Sequence, residues 1–313
     1  MSITLRIRRS LWLRFSPWLR LNWPEQKQQN SAKKIALICV NFNTAKYISY
    51  LLFSLCRIVG RDKFGEIVIV DNNSTDGSRQ ILRAMQDAGL ITLIANERQQ
   101  YHGPGLNQAM RHLASVARMN VESSPDYVLI LDSDVIVLRP TLVDDLLSVA
   151  VKKSAGLTGE IEDFEYIEAG YAHISSVLID PKQVWRRGIT PFEHHGVPDL
   201  EFQRDLVRRR IFRQNFPMRS ELYVLHLWNG TLRTIRDSGL RDNKFFRYAS
   251  TFTDRNSEDV PQGKYVLDEF LAAFNSEVAE LTPSSIVNAC LRKAEINLKR
   301  PFELLEKGET IRR

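Results

Sequence analysis

The chain has 313 residues, of which 43% are hydrophobic and 26% charged, a composition typical of globular proteins with a sizeable core. The net charge of +6 is concentrated at one end, because residues 1–30 hold six basic residues and one acid. The remaining chain is almost neutral, which argues against a nucleic-acid partner, since such proteins usually carry basic charge on a folded face. Three cysteines without a CxxC pair argue against a disulfide framework or zinc site and favour a reducing, cytoplasmic location.

Residues 1–32 form a basic segment and a polar linker. Five arginines alternate there with leucines and with Trp12, Trp18 and Trp23, and this composition is typical of a segment that lies in a membrane interface. A strap on the protein's own surface and a leader without fixed structure are the alternatives. The sequence has no run of 18 apolar residues that would predict a spanning helix. We therefore expect a cytoplasmic protein that is peripheral on the inner face of the membrane.

Strands and helices alternate through the next part of the chain. Continuous apolar runs predict strands at 35–42, 66–70, 91–95 and 127–131, and helical spacing predicts helices at 47–59, 78–89, 106–119 and 140–153. This alternation predicts an α/β fold with a Rossmann-like, mostly parallel central sheet flanked by helices. Further helices are expected at 200–211, 265–274 and 284–298.

Polar clusters follow each predicted strand: Asn41 and Asn43, then residues 71–74, then Asn96, then residues 132–134. In open parallel sheets, ligands bind beyond the carboxyl ends of the strands. The shared location of these clusters predicts a single binding site.

Asp132 and Asp134 are the strongest candidates for a metal site. Period-two geometry directs both carboxylates to the same face at the end of the fourth strand. Two such carboxylates repel each other unless a cation lies nearby, and oxygen ligands suit Mg²⁺ or Mn²⁺. The alternative is a solvated turn.

Two residues later in the chain are also candidates for a functional role. Asp199 precedes the predicted helix at 200–211, where it could act as a general base or only cap the helix. His226 follows an apolar run and is either a further metal ligand or a core histidine. The adjacent His194 and His195 point apart, so they do not predict a joint metal site.

These motifs, taken in order, resemble those of a known enzyme family. VNFN, VDNNSTDGS, a glycine-containing loop after Asn96, LDSD, PDLEFQR and HLWNGT make the chain similar to a family-2 glycosyltransferase of the GT-A fold. The similarity is greatest to the rhamnosyltransferase-like branch. It implies a GT-A domain at residues 33–232 and a mainly helical C-terminal extension at 233–313.

The resemblance also implies roles for individual residues. Asp199 is the expected catalytic base, and Asp134 and His226 are the expected ligands of Mg²⁺ or Mn²⁺. Glu201 and His195 are expected near the acceptor or behind the site. Pro198 departs from the glutamate that the family commonly has before the base. Residues expected to bind the nucleotide or donor sugar are Val40, Asn41, Asn43, Asp71, Asn73, Asn96, Gly105, Asn107, Asp132 and Ser133.

The expected activity is metal-dependent, inverting transfer of a sugar from a UDP- or dTDP-sugar to a hydroxyl of a glycan, lipid-linked or other acceptor. The expected setting is synthesis of a cell-surface polysaccharide. A nucleotidyltransferase and a non-catalytic nucleotide-sugar-binding protein remain as alternatives. The first of these usually has a glycine-rich phosphate loop after its first strand, whereas residues 41–44 contain no glycine.

Overall fold

The computed structural model of the protein describes Trp23 and residues 34–120, 124–164, 167–185, 192, 200–219, 221–227, 261–293, 296 and 298. Four apolar runs form the parallel part of the sheet: β1 (Ile35–Asn41), β2 (Glu66–Asp71), β3 (Thr92–Ala95) and β4 (Tyr127–Leu131). They lie in the order β3-β2-β1-β4. Residues of β1, β2 and β4 are almost all buried, as expected for strands covered on both faces.

Helices connect these strands. They are α1 (Ala45–Ser54), α2 (Ser78–Asp87) and α3 (His102–Met119), and α4 (Leu142–Lys153) follows later. The helix predicted at 47–59 is α-helical only to Ser54, and a π-helical segment, Leu55–Gly60, continues it. Helix α3 begins four residues earlier than predicted, because Pro104 is compatible with a first helical turn, where its missing N–H is not needed.

The sheet continues with antiparallel strands that the sequence did not predict. Strand β7 (Ile167–Ile179) pairs antiparallel with β4, and β6 (Leu157–Phe164) pairs antiparallel with β7. Strand β8 (Arg213–Asn215) closes the order β3-β2-β1-β4-β7-β6-β8. A separate two-stranded sheet joins β5 (Val135–Val137) to β9 (Val224–His226). Short helices α5 (Pro181–Trp185) and α6 (Leu200–Arg208) complete this half. The prediction of a largely parallel central sheet flanked by helices is confirmed.

Alternate residues of each strand enter two cores, one on each face of the sheet. Leu37, Cys39 and Ile69 face α1, α2 and α4. Ile38, Val40 and Val68 face α3, α6 and a cluster of aromatic side chains. The two cores hold the sheet rigidly, so the carboxyl ends of its strands have fixed positions.

Two C-terminal helices, α7 (Pro261–Glu277) and α8 (Pro283–Leu291), belong to the first of these cores. Phe274 of α7 packs edge-on against Tyr50 and Phe53 of α1, with ring centroids 4.7 and 5.1 Å apart. The Arg57 side chain is buried, makes a bidentate ion pair with Glu277 and donates to the Ala289 carbonyl at 2.9 Å. The predicted C-terminal helices are thus present, although α8 ends at Leu291 rather than 298.

Trp23 lies inside the protein. Its side chain is only 6% exposed, and its ring centroid lies 6.4 Å from that of Trp185. It is therefore not available to a lipid interface, contrary to its inclusion among the membrane-facing tryptophans. The rest of the basic N-terminal segment lies outside the described residues. Among the helices that the structure describes, none combines the length and hydrophobicity that a membrane span requires.

Candidate functional site

The paired aspartates lie in the turn between β4 and β5. Asp132 follows the last residue of β4, and its backbone N–H donates to the Ser175 carbonyl of β7 at 3.0 Å. The N–H of Val135 donates back to the Asp132 carbonyl at 3.2 Å, which closes the turn. The prediction that both acids share one face of an extended strand was wrong in this detail, although the turn also brings both carboxylates into one group.

Strand pairing brings His226 to the same place. In the small sheet, Val135 lies opposite His226, and the N–H of Leu227 donates to the Asp134 carbonyl at 2.9 Å. His226 and Asp134 are 92 residues apart in the chain, so no local sequence signal links them. The register of β5 and β9 alone places the imidazole beside the carboxylate.

Ligand atoms of Asp132, Asp134 and His226 all lie within 4.8 Å of one another, and they form a candidate metal centre. The Nε2 atom of His226 is 3.1 Å from Asp134 Oδ1 and 3.8 Å from Asp132 Oδ2. Among the described residues, the buried Asp134 Oδ2 has no hydrogen-bond partner, an arrangement that is costly unless a cation binds there. Two carboxylates and one imidazole suit Mg²⁺ or Mn²⁺ chemically, so the residues present fit the expected ion.

The electrostatics of this centre favour positive charge. Burial alone would lower the pKa of His226, but the nearby carboxylates of Asp134 and Asp132 raise it above its ordinary value. Burial, together with the same two carboxylates, raises the pKa of Cys39 well above its usual range. The Cys39 thiol beneath the site is therefore held neutral, which argues against a role as nucleophile.

Asp71 lies at the carboxyl end of β2, directly beside Asn41 of β1. Its carboxylate is fully buried and accepts hydrogen bonds from Asn41 Nδ2 at 2.8 Å, Arg79 Nε at 2.7 Å and the Ser74 N–H at 3.2 Å. No sequence motif indicated Arg79 as its partner. These contacts fix the strand end where a nucleotide base is expected.

The asparagines after β1 and β2 join the two neighbouring loops. Asn41 Nδ2 also donates to the hydroxyls of Ser74 and Ser78, both at 3.0 Å, so its amide is engaged within the protein. Asn43 and Asn73 have φ values of 52° and 65°, in the left-handed region that asparagine tolerates better than most residues. Asn43 Oδ1 accepts from the Thr75 N–H at 2.8 Å.

Asn96 extends this amide network toward α3. Its Nδ2 donates to Asn72 Oδ1 at 2.8 Å, and its amide makes reciprocal bonds with Gln108 at 2.9 and 3.0 Å. Gly105 of α3 lies against Val40 of β1, and a Cβ atom on Gly105 would meet both Val40 Cγ atoms at 2.9 Å. Glycine at this position therefore allows α3 to approach the strand closely.

Asn107 and Ser133 are both buried, Asn107 on α3 and Ser133 in the turn between the two aspartates. The Asn107 amide contacts the backbone of Phe192 rather than a strand end. The structure thus brings the predicted residues from β1, β2 and β4 to one edge of the sheet.

His102 is a site residue that the sequence reasoning missed. Its Nε2 lies 3.3 Å from Asp132 Oδ1, and its side chain is 24% exposed. It occupies the first turn of α3, whose early start could have been read from Pro104 at a tolerated first-turn position.

Of the three residues expected at or near the acceptor, the structure describes only Glu201. Glu201 lies in the first turn of α6, where it pairs with Arg204 at 2.7 Å and with Arg208 at 3.8 Å. Asp199 and His195, the expected base and a possible acceptor residue, lie outside the described residues. Asp199 is nevertheless joined to Leu200, the first residue of α6, by one peptide bond.

Comparison with known proteins gives one family. The model of Glycosyl transferase family 2 matches residues 36–216, more than half of the chain. No curated protein matches.

Three solved structures illustrate the similarity of this chain to known folds. The mannosyltransferase PcManGT from Pyrobaculum calidifontis, solved with GDP-Man and Mn²⁺, is 15% identical with a TM-score of 0.48, over 97% of this chain and 86% of that one. Glucosyl-3-phosphoglycerate synthase from Mycobacterium tuberculosis, solved with Mn²⁺, UDP and glucosyl-3-phosphoglycerate, is 16% identical with a TM-score of 0.44, over 62% and 76%. S. aureus TarS 1-349 with UDP-GlcNAc is 14% identical with a TM-score of 0.43, over 89% and 93%.

The family match spans β1 to Phe216, and thus covers the strand ends and the two aspartates but not His226. The chain belongs to glycosyl transferase family 2, and the protein is a glycosyltransferase.

Proposed function

We propose that the protein transfers a sugar from a UDP- or dTDP-linked donor to an acceptor hydroxyl, with inversion at the anomeric carbon. The observation that carries this proposal is the group of Asp132, Asp134 and His226 at the carboxyl edge of the parallel strands. Asp134 and His226 would hold Mg²⁺ or Mn²⁺, which supplies positive charge beside the diphosphate of the donor.

In this mechanism Asp199 accepts the proton of the acceptor hydroxyl. The hydroxyl oxygen forms a bond to the anomeric carbon on the face opposite the diphosphate. The bond from that carbon to the diphosphate oxygen breaks, and its electron pair leaves with the nucleoside diphosphate. A base within hydrogen-bond reach contributes about 10² to 10⁴-fold in rate.

The donor can be identified by a thermal-shift screen of nucleotide sugars with Mn²⁺, using an Asp199→Asn variant so that the donor is not consumed. We infer from the motif order that the protein belongs to the rhamnosyltransferase-like branch, so dTDP-linked rhamnose is included beside UDP-sugars. With the best donor, release of nucleoside diphosphate should require Mn²⁺ and fall at least about 100-fold in the Asp199→Asn variant. Substantial turnover by that variant would refute the role of Asp199, and absence of any donor binding would refute the proposal as a whole.

We also propose that the enzyme works at the cytoplasmic face of a membrane, on a lipid-linked or cell-surface glycan acceptor. The support is the composition of residues 1–22, which contain five arginines among leucines and tryptophans. Because the next residue, Trp23, is part of the core, a truncation that removes residues 1–32 would damage the fold. The test is therefore flotation of the full chain with vesicles containing anionic lipid, against a full-length variant with Arg6, Arg8, Arg9, Arg14 and Arg20 changed to Gln. Equal flotation of the two proteins would contradict membrane binding through this segment.

A further inference from the structure

The Asp132 carboxylate lies between two imidazoles that come from different elements of the fold. His102, in the first turn of α3, places its Nε2 atom 3.3 Å from Asp132 Oδ1. His226 of β9 places its Nε2 atom 3.8 Å from the other oxygen, Asp132 Oδ2. The backbone N–H of Asp132 donates to the Ser175 carbonyl of β7 at 3.0 Å. Three elements that are distant in the chain therefore contact this one residue.

The two oxygens of this carboxylate have different surroundings. Oδ2 lies on the side of His226, whose Nε2 atom is also 3.1 Å from Asp134 Oδ1. Oδ1 lies beside His102. Among the described residues, the group whose ligand atoms all lie within 4.8 Å of one another consists of Asp132, Asp134 and His226. His102 is therefore outside the group that could bind a cation and contacts one of its members.

The start of α3, which carries His102, is itself held in place. The Gly105 N–H donates to the Tyr101 carbonyl at 3.2 Å and closes the first helical turn. In the loop after β2, Asn72 Nδ2 donates to the Gln100 carbonyl at 3.1 Å. These bonds fix the backbone on both sides of His102. The imidazole thus approaches Asp132 from a fixed direction, as required of a residue that supports a ligand.

The exposure of the two side chains argues against a purely structural contact. The His102 side chain is 24% exposed and that of Asp132 is 14% exposed. Partly exposed pairs of this kind contribute little to folding stability. In contrast, groups that contact the ligands of a metal orient those ligands, and their loss commonly lowers metal affinity.

We propose that His102 is a positioning residue that orients the Asp132 carboxylate for the cation. This inference rests on the proposed function, because it concerns Mg²⁺ or Mn²⁺ beside the donor diphosphate. The contact with Oδ1 restrains rotation of the carboxylate and keeps Oδ2 on the side of His226. Helix α3, through the bond from Asn72 to Gln100, thereby links the loop after β2 to the metal centre.

The test compares His102→Asn with His102→Gln. The amide nitrogen of glutamine can take the place of Nε2, whereas that of asparagine ends near the place of Nδ1 and falls short of Asp132. The measured quantity is the factor by which Mn²⁺ tightens the binding of UDP, from calorimetry with and without Mn²⁺. We expect His102→Asn to reduce this factor about 10 to 100-fold and His102→Gln to keep it within about threefold. Binding of UDP without Mn²⁺ should be unchanged in both variants.

A double-mutant cycle shows whether His102 acts through Asp132. In an Asp132→Ala background the carboxylate is absent, so His102→Asn should then have no further effect on the Mn²⁺-dependent factor. If the two losses multiply instead, His102 acts by another route and the inference is wrong. If His102→Asn does not fold, His102→Ala, which suits a helical position, takes its place.

His112→Asn is the matched control. His112 is a second histidine of α3 whose Nε2 contacts a carboxylate, that of Glu66 at 2.6 Å. Glu66 begins β2, whereas the site lies at the carboxyl ends of the strands, so the contact is at the opposite edge of the sheet. Its loss should leave the Mn²⁺-dependent factor unchanged.

Failure of this inference can be distinguished from failure of the proposed function. If Asp134→Ala abolishes the effect of Mn²⁺ on UDP binding while His102→Asn retains it, the positioning role is refuted and the metal centre is not. If His102→Asn weakens UDP binding equally with and without Mn²⁺, His102 contacts the nucleotide and the inference is wrong. If Asp134→Ala also retains the full effect of Mn²⁺, the metal centre of the proposed function fails, and this inference fails with it.

Discussion

At the scale of single residues, the candidate metal centre consists of three side chains from two distant parts of the chain. Asp134 is only 4% exposed and His226 5%, so neither is well solvated. His226 lies beside the Asp134 carboxylate, and a bound Mg²⁺ or Mn²⁺ would add further positive charge there. Removal of one of these side chains should therefore weaken binding of the cation.

We expect Asp134→Ala to weaken Mn²⁺-dependent binding of UDP by at least about 100-fold, because even loss of a residue that only supports a ligand costs 10 to 100-fold. Calorimetry with UDP, in the presence and absence of Mn²⁺, measures this effect. Saturating Mn²⁺ should also raise the melting temperature of the unaltered protein but not that of the variant. Asp87→Ala, at an exposed position of α2, is the control. Unchanged Mn²⁺-dependent binding in Asp134→Ala would exclude Asp134 as a ligand.

A second ion pair makes stability depend on pH. His112 Nε2 lies 2.6 Å from Glu66 Oε1, and this hydrogen bond raises the pKa of His112 above 6.5. Burial raises the pKa of Glu66, but the hydrogen bonds from His112 and Thr92 outweigh it and lower the pKa below 4.5. The contribution of His112 to the unfolding free energy is complete below pH 6.5 and is lost as the pH rises through the raised pKa of His112. The glutamate contribution is complete above pH 4.5 and is lost as the pH falls through its lowered pKa.

The pair should therefore stabilise the protein most between these two values, by about 1 kcal/mol. Urea unfolding of the unaltered protein and of His112→Gln at pH 6 and pH 8.5 tests this expectation. The difference in unfolding free energy between the two proteins should be larger at pH 6. A difference in unfolding free energy that is larger at pH 8.5 than at pH 6 would contradict a stabilising pair of His112 and Glu66.

At the scale of elements, the approach of α3 to β1 determines where the site residues of α3 lie. Gly105 makes this approach possible, since a Cβ atom there would meet both Val40 Cγ atoms at 2.9 Å. The same helix carries His102 and Asn107, so its distance from the strand affects the contact of His102 with Asp132 and that of Asn107 with Phe192.

We expect Gly105→Ala to destabilise the protein by about 1 to 3 kcal/mol through overpacking, despite the better helix propensity of alanine. In a Val40→Ala background the clashing atoms are absent, and the same change should then be neutral or stabilising. Urea unfolding of the four proteins measures the coupling. Gly65→Ala is the control, since its Cβ would meet only the Ile35 carbonyl oxygen at 3.7 Å. Equal effects in both backgrounds would show that Val40 does not limit the approach.

The parallel half of the fold could be read from the sequence because each strand is a continuous apolar run followed by polar residues. The antiparallel half could not, since β6 contains Glu160 and β8 has the polar sequence Arg213–Asn215. Their pairing is decided by partners distant in the chain. The acids of the site were predictable from their place after β4, whereas the turn that holds them and the contact from His102 depend on tertiary packing.

At the scale of the whole molecule, the C-terminal helices α7 and α8 complete the first core. Arg57, on the π-helical segment after α1, is buried and pairs with Glu277 of α7. Phe270 and Phe274 of the same helix pack on α1. Residues beyond 260 are therefore needed to cover the first core.

We expect Arg57→Met to lower the unfolding free energy by about 3 kcal/mol, because it leaves the mostly buried Glu277 carboxylate without its main partner. The double variant Arg57→Met with Glu277→Met should recover most of this loss, as two apolar side chains can replace a buried pair. Urea unfolding measures both. Lys63→Met, which breaks the exposed pair with Asp144, should change stability by less than about 0.5 kcal/mol. An Arg57 effect as small as that of Lys63 would contradict this account.

The pairing of Arg57 with Glu277 spans 220 residues of chain, and this distance has a consequence for biosynthesis. A ribosome adds roughly 5 to 20 residues per second, so the partner of α1 emerges on the order of ten to forty seconds after α1 itself. During that interval Tyr50 and Phe53 lack the cover that Phe274 of α7 gives them in the folded protein. The first core can therefore be completed only after α7 has been synthesised.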